Sequence, residues 1–296
     1  MPSRARPETP KALWWGAPRY CPGPRPAVGW RPFNVGDGAT ELAVSGTIKA
    51  VTFDLWDTII HDDSDEAKRK AQGLRSKKAE RRHLLWEALR EAEPIEADRV
   101  ALAYDVADAA FNKVWHDQLI TWTIAERLRV ALEGLGRELA DDAFARVVKA
   151  HEAMEVDVPP DAVDGIAGAL AELATRYKLC VVSDSIVTPG ARLRDLLEVH
   201  GLKRYFTGFA FSDEVGHSKP HRAMFEAAAG QLGVEIEEMV HIGDRDHNDV
   251  RGPQALGMKA VLFIATRAQD KDTTSADAIC ARHADLPAII DRLSAA

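Results

Sequence analysis

Cysteine is scarce in this chain of 296 residues: Cys21, Cys180 and Cys280 are the only three, far apart and odd in number. With no CxxC pair and no Cys/His cluster, neither a disulfide framework nor a structural zinc site is expected. Cys180 lies in an apolar run and reads as a small core residue rather than a nucleophile. No apolar run approaches the ~20 residues needed to cross a membrane, and the amino terminus lacks the unbroken apolar stretch of a secretory signal. An excess of positive charge is missing too. The net charge is −8, whereas a general nucleic-acid binder needs a basic face to displace counterions from phosphates. These absences lead to the expectation of a cytoplasmic protein without nucleic-acid or membrane partners.

What is present is an apolar content of 46%, enough for a substantial core in one large or two modest domains. Residues 1–46 stand apart. They hold about half of the 15 prolines, mixed with Arg4, Arg6, Arg19, Arg25, Arg31, Trp14, Trp15 and Trp30. Repeated proline removes backbone donors and restricts the preceding residue, so no long helix or central strand forms there. Two readings stay open. One is a tail, or an extension upstream of the true start. The other is an arm that packs its tryptophans on the core or on a second subunit.

From Ile48 the texture changes. Ala50-Val51-Thr52-Phe53 is a short apolar, partly β-branched run ending in Asp54, which predicts a buried strand. Residues 62–161 then follow a helical pattern, with Leu84, Leu85, Ala88 and Leu89 at helical spacing. Thr123 and Glu126 form a capping box for a helix ending near Gly136. Further strands are predicted over 179–182, 209–211, 240–242 and 260–264, separated by helices such as 223–232. Thr188-Pro189 is read as the N-cap and first-turn proline of a helix ending near Gly201. Strand and helix in alternation imply an α/β fold, a Rossmann-like parallel sheet covered on both faces. Its core comprises residues 47–61 and 162–296, with residues 62–161 inserted as a helical unit.

In such sheets ligands bind beyond the carboxyl ends of the strands, and polar residues gather at those ends here. They are Asp54 to Thr58, Ser183 to Ser185, Lys219 after the third run, and Gly243 to Asp249 after the fourth. A carboxylate cluster repels itself unless a cation sits among the groups. A small set of oxygen ligands suits Mg²⁺, which keeps several waters and pairs with phosphate. Lys219, Ser183 and nearby backbone amides can bind anionic oxygens. Together these groups describe a site for phosphoryl transfer. The run Asp244 to Asp249 also looks like the start of a calcium loop. That reading fails, because Asp249 stands where glycine is required and Ala255 where the bidentate glutamate belongs.

In order and spacing, Asp54 to Thr58, Ser183, Lys219 and Gly243 to Asp249 resemble the four signature motifs of the haloacid dehalogenase superfamily. The helical insert resembles its C1 cap, and the likeness spans about residues 47–270. The resemblance implies a magnesium-dependent phosphatase or phosphotransferase acting on a small phosphorylated metabolite. Asp54 would be the nucleophile that becomes an aspartyl-phosphate. Mg²⁺ would be held by Asp54, the backbone carbonyl of Trp56, Asp244 and Asp249, while Ser183, Asp184 and Lys219 would bind the phosphoryl group. The cap would close over the substrate. A homodimer is allowed.

One position departs from the pattern. The phosphatases of this superfamily carry an acid/base aspartate two residues after the nucleophile, and here that residue is Trp56. The change spares a carbonyl ligand and removes a proton shuttle of the kind typically worth about 10²- to 10⁴-fold. It points to substrates whose leaving groups need little protonation, such as acyl or aryl phosphates. Asp57 is a substitute only if the chain turns it inward, and strand alternation directs it away. Asp246 and His247 are expected to be solvated, and Trp115 and Trp122 to pack between helices. Three alternatives stand beside the phosphatase: a 2-haloacid dehalogenase, which Trp56 echoes; a phosphonate-cleaving enzyme with Lys77 or Lys78 as Schiff base, though neither is marked as buried; and a non-catalytic descendant binding a phosphorylated ligand or a protein.

Overall fold

The structure, a computed structural model, describes residues 47–295. The expectations for residues 1–46 lie outside the described residues. Six parallel strands form one sheet in the order β3-β2-β1-β4-β5-β6. They are β1 (Ala50–Phe53), β2 (Lys178–Ser183), β3 (Gly208–Phe211), β4 (Met239–Gly243), β5 (Lys259–Phe263) and β6 (Ala278–Cys280). Five of these match predicted runs. The sixth is three residues long, with Ile279 exposed, so it carries no apolar pattern to read. No helix of the described residues is long and apolar enough to cross a membrane.

The strand residues alternate between two buried faces, as the pleat requires. Val51, Phe53, Val181, Ile242 and Phe263 belong to one cluster, with Leu170 of α6 (Ile166–Leu173), Leu193 of α7 (Gly190–Val199) and Ile290 of α11 (Leu286–Ser294). Ala50, Cys180 and Val182 face the other way, against Met224 and Phe225 of α9 (Arg222–Leu232). Cys180 is thus a core residue, fully buried. Two short helical turns, α8 (Ser212–Val215) and α10 (Gly252–Gln254), complete this part of the chain.

Between β1 and α6 lie five helices: α1 (Asp65–Ala71), α2 (Lys77–Ala92), α3 (Ala97–Gln118), α4 (Ile124–Leu135) and α5 (Asp141–Asp157). Leu85, Leu89, Val100, Tyr104 and Leu128 among others form an apolar cluster separate from those of the sheet. Helix α4 starts at the expected capping box, the Thr123 hydroxyl accepting from the Glu126 amide and the Glu126 carboxylate from the Thr123 amide. It ends at Gly136, whose φ of 63° is the left-handed conformation that glycine adopts without penalty. The chain enters and leaves this insert side by side: the His61 amide donates to the Asp161 carbonyl, and the Val163 amide to the Ile59 carbonyl.

The start of α7 differs from expectation. Pro189, not Thr188, is the cap residue, and the Gly190 amide donates instead to the Asp213 carboxylate at 3.1 Å. The Thr188 hydroxyl is left buried without a partner among the described residues.

Leu170 is fully buried between α6 and the sheet. Leu170→Ala should cost about 2–5 kcal/mol through lost burial and the cavity left behind. Urea unfolding should show a lower midpoint with an unchanged slope.

Candidate active site

Parallel register brings the strand ends together. Phe53 pairs with Val181 and Ile242, and Ser183 with Phe211. The residues just past β1, β2 and β4 therefore emerge at one edge of the sheet. Asp54 is anchored there by its amide, which donates to the Ile242 carbonyl. The chain then turns sharply, with Asp57 at φ 54°. Strand geometry has ended by that point, so alternation does not place the Asp57 side chain. Its carboxylate is engaged with the Asp62 amide at 3.1 Å.

Lys219 lies at the centre. Its ammonium donates to Asp54 Oδ1 at 2.6 Å and to Asp249 Oδ1 at 2.7 Å. Its backbone amide donates to Asp184 Oδ1 at 2.8 Å, so the Asp184 carboxylate is committed to fixing the lysine. Asp249 returns over the end of β4 through a wide helical turn (Asp246–Arg251), where its carboxylate packs against Gly243. A Cβ built on Gly243 would lie 2.3 Å from Asp249 Cγ, which makes glycine mandatory in this geometry. His241, an inward residue of β4 that sequence reasoning passed over, places Nε2 3.2 Å from Asp249 Oδ1 and Nδ1 2.8 Å from the Thr52 hydroxyl. The signal was present: a histidine inside an apolar strand must find polar partners.

Asp244 completes the group. Oxygens of Asp54, Asp244 and Asp249 lie within 4.8 Å of one another, and all three residues are buried. Both Asp244 carboxylate oxygens lack a hydrogen-bond partner among the described residues. Burial, opposed by the Lys219 charge and reinforced by Asp249 and Asp244, pushes the Asp54 carboxyl up to about 8. Burial and Asp249 push Asp244 up to about 6. Burial would also raise Asp249, but Lys219 and His241 hold it well below the usual carboxylate range. Lys219 is bonded to two of the three carboxylates and the Arg245 guanidinium comes no nearer than 3.9 Å to the third, Asp244, which leaves an acidic centre with unpartnered oxygens. That donor set fits a small, hard divalent cation.

The cavity above this centre is about 60 Å³ and is lined by Asp54, Trp56, Asp62, Trp115, Asp184, Ile186, Lys219, Arg245, Asn248 and Asp249. Asp244 and Ser183 lie outside that lining, although both are buried beside it. Ser183 closes β2, and the only hydrogen bond of its hydroxyl among the described residues is a long one of 3.5 Å to the Asp184 carbonyl. Trp115 stacks on Phe111, as a packing residue would, but it also walls the cavity, which the packing expectation left out. Trp122 packs on Phe111. Asp246 is buried and paired with Arg251 at 2.6 Å rather than solvated, while His247 is exposed. Lys77 is buried as well, contrary to expectation. Burial alone would lower its pKa, but Glu155, Asp65 and Asp63 more than reverse this. It is a fixed cation, unsuited to forming a Schiff base.

A Rossmann-like parallel sheet with three buried aspartates and one lysine at its carboxyl edge defines an α/β protein with an acidic site. Residues 48–257 match the haloacid dehalogenase-like hydrolase family, and the chain belongs to it. It is 30% identical over 226 residues to the 5-amino-6-(5-phospho-D-ribitylamino)uracil phosphatase YigB of Escherichia coli, covering 73% of this chain and 83% of that one. A glyceraldehyde 3-phosphate phosphatase of Methanopyrus kandleri is 36% identical over 77 residues, only 26% of this chain and 33% of that one. Among solved structures, the fold is similar to a 2-haloacid dehalogenase from Pseudomonas syringae (TM-score 0.56, 22% identity, covering 83% and 99% of the two chains). It is also similar to a HAD phosphatase from Thermococcus onnurineus (TM-score 0.54, 22% identity, covering 82% and 98%).

A carboxyl with a raised folded-state pKa holds its proton more tightly than in the unfolded chain, so its contribution to stability is lost as pH rises from the unfolded to the folded value. For Asp244 that window runs from about 4 to about 6. Without divalent ions, Asp244→Asn should therefore match wild type near pH 4. Above pH 6 it should be more stable, by on the order of 1–3 kcal/mol. Denaturation midpoints across pH in EDTA measure this.

Proposed function

We propose that this hydrolase is a magnesium-dependent phosphatase of a small phosphorylated molecule, working in the cytoplasm, with Asp54 as the group that takes the phosphoryl. One observation carries the reading: Lys219 ties Asp54 to Asp249 while the Asp244 oxygens point at the same spot without partners. The named phosphatases among its relatives support it.

Asp54, Asp244, Asp249 and the Trp56 carbonyl would hold the ion, which would neutralise phosphoryl charge and favour ionised Asp54. Lys219 is placed to bind phosphoryl oxygens, with its ammonium held by Asp54 and Asp249 and its backbone by Asp184. The Ser183 hydroxyl, nearly free of protein partners, is available to the same oxygens. An oxygen of Asp54 bonds to phosphorus as the bond from phosphorus to the leaving oxygen breaks, and the leaving group departs with the electron pair. Water then attacks the aspartyl-phosphate at phosphorus, returning Asp54 and releasing phosphate, while its proton passes to phosphate or solvent. Helices α1 to α5, within residues 62–161, act as the cap that limits water at this step. Trp56 has no proton to shuttle, so esters with good leaving groups are favoured. Carbon–halogen hydrolysis is the second reading, favoured by Trp56 alone; the intact Asp244 and Asp249 speak against it.

Phosphate release from acyl, aryl and alkyl phosphates with Mg²⁺ or EDTA should show metal-dependent turnover that falls at least about 10³-fold in Asp54→Asn. Halide release from haloacids, indifferent to EDTA, would replace this reading with the second. Trp56→Asp should raise turnover of alkyl phosphates more than that of aryl phosphates, by up to the ~10²- to 10⁴-fold typical of an acid/base group. A folded variant with no such gain would count against the account of Trp56.

A further inference from the structure

A second cavity of about 190 Å³ adjoins the one above Asp54 and shares Trp56, Asp62 and Ile186 with it. Its other walls are Asp63, Lys77, Arg81 and Glu155 from the helical insert, and Val187 and Thr188 from the loop after β2. Three polar atoms of this lining are buried with no hydrogen-bond partner among the described residues: Glu155 Oε2, Arg81 Nε and Thr188 Oγ1. Glu155 is only 6% exposed and Thr188 3%. Buried polar atoms are seldom left unpaired, and the three residues that carry them all line one cavity beside Asp54, where a ligand that pressed into the wall would supply partners.

The charges say what kind of ligand. Lys77 has no proton to spare, since Asp63, Asp65 and Glu155 take its ammonium at 3.0, 2.9 and 3.2 Å. Arg81 reaches Glu155 only at 3.8 Å. Against these two cations stand Asp62, Asp63 and Glu155 in the wall, with Asp65 behind. The lining is therefore net acidic, and its one cation outside the lysine cluster already faces a carboxylate. A second phosphate or a carboxylate on the substrate would meet like charge, at a cost that burial enlarges. A purely apolar group would leave all three atoms unpaired. A group that donates hydrogen bonds satisfies Glu155 and Thr188, and a hydroxyl oxygen also accepts from Arg81.

We propose that this cavity is the leaving-group subsite, and that it selects phosphate esters whose leaving group carries a hydroxyl or amine over those carrying a second anion. The proposal rests on the reading of Asp54 as the reacting group only for its name; the recognition itself does not require turnover.

Two measurements keep these claims apart. The first is thermal stabilisation by the free leaving groups, 4-(aminomethyl)phenol, 4-(hydroxymethyl)phenol and 4-hydroxybenzoate, with the full chain in Mg²⁺. The first two should raise the melting temperature and the third should not, and Glu155→Gln should shrink the difference. Equal or greater stabilisation by 4-hydroxybenzoate overturns the proposal, whether or not any ester is cleaved.

The second is kcat/KM for the corresponding three aryl phosphates. The carboxylated phenol is a slightly better leaving group than the hydroxymethyl one, so chemistry alone gives the hydroxymethyl ester no advantage. A preference of about 10-fold for the hydroxymethyl over the carboxylated ester would therefore report the subsite, while the aminomethyl ester, whose ammonium itself eases departure of the phenol, is read through the variants. Thr188→Val should reduce that preference for the hydroxymethyl ester about 2- to 10-fold, as loss of one hydrogen bond does. A preference for the carboxylated ester, or a ratio unmoved in both variants, overturns the proposal. Absence of phosphate release from all three, with the stabilisation pattern intact, would overturn the phosphatase reading and leave the subsite standing.

Discussion

Everything at the edge of the sheet depends on one ammonium shared among buried carboxylates. Lys219 is 3% exposed, and its charge is bound to Asp54 and Asp249. Burying these ions is costly, and the cost is recovered only if each is paired and hydrogen-bonded. The surrounding structure reads as the means of meeting that condition. Asp184 takes the lysine amide, His241 leans on Asp249, Thr52 fixes His241, and the Arg245 amide holds the second Asp249 oxygen at 3.0 Å. The arrangement leaves Asp244 out. It is the one member of the acidic group whose oxygens no side chain or amide of the described residues satisfies.

The main features were legible in the sequence because they are local. A β-branched run ending in aspartate declares a strand and its polar end, and a threonine three residues before a glutamate declares a helix start. Spacing of the polar clusters then carried the site, since parallel strands must bring their carboxyl ends to one edge. What the sequence hid depends on tertiary neighbours. Thr188 has the residue type of an N-cap, yet Asp213, 23 residues ahead in the fold of the next strand end, took the amide of Gly190. Lys77 looked like any solvated lysine because the carboxylates that pair with it all lie outside its own helix, at Asp63, at Asp65 in α1 and at Glu155 in α5. Asp57 defeated strand alternation because the strand had already stopped.

The aromatic residue at position 56 has a second consequence. It walls both cavities, the one above Asp54 and its neighbour. A residue that forgoes proton transfer thus gains the role of a partition, and its bulk fixes where a substrate can pass between the two spaces. The two cavities meet at that ring, and at Asp62 and Ile186 beside it.

The crossing between sheet and helical insert carries a longer-term consequence. The two chain segments run side by side at 59–61 and 161–163 and are hydrogen-bonded to each other. The helices beyond them pack around apolar residues of their own. An inserted segment that begins and ends at adjacent points can be lengthened, shortened or exchanged without altering the register of any strand. The walls contributed by Lys77, Arg81 and Glu155 can therefore change without disturbing the buried charges around Lys219.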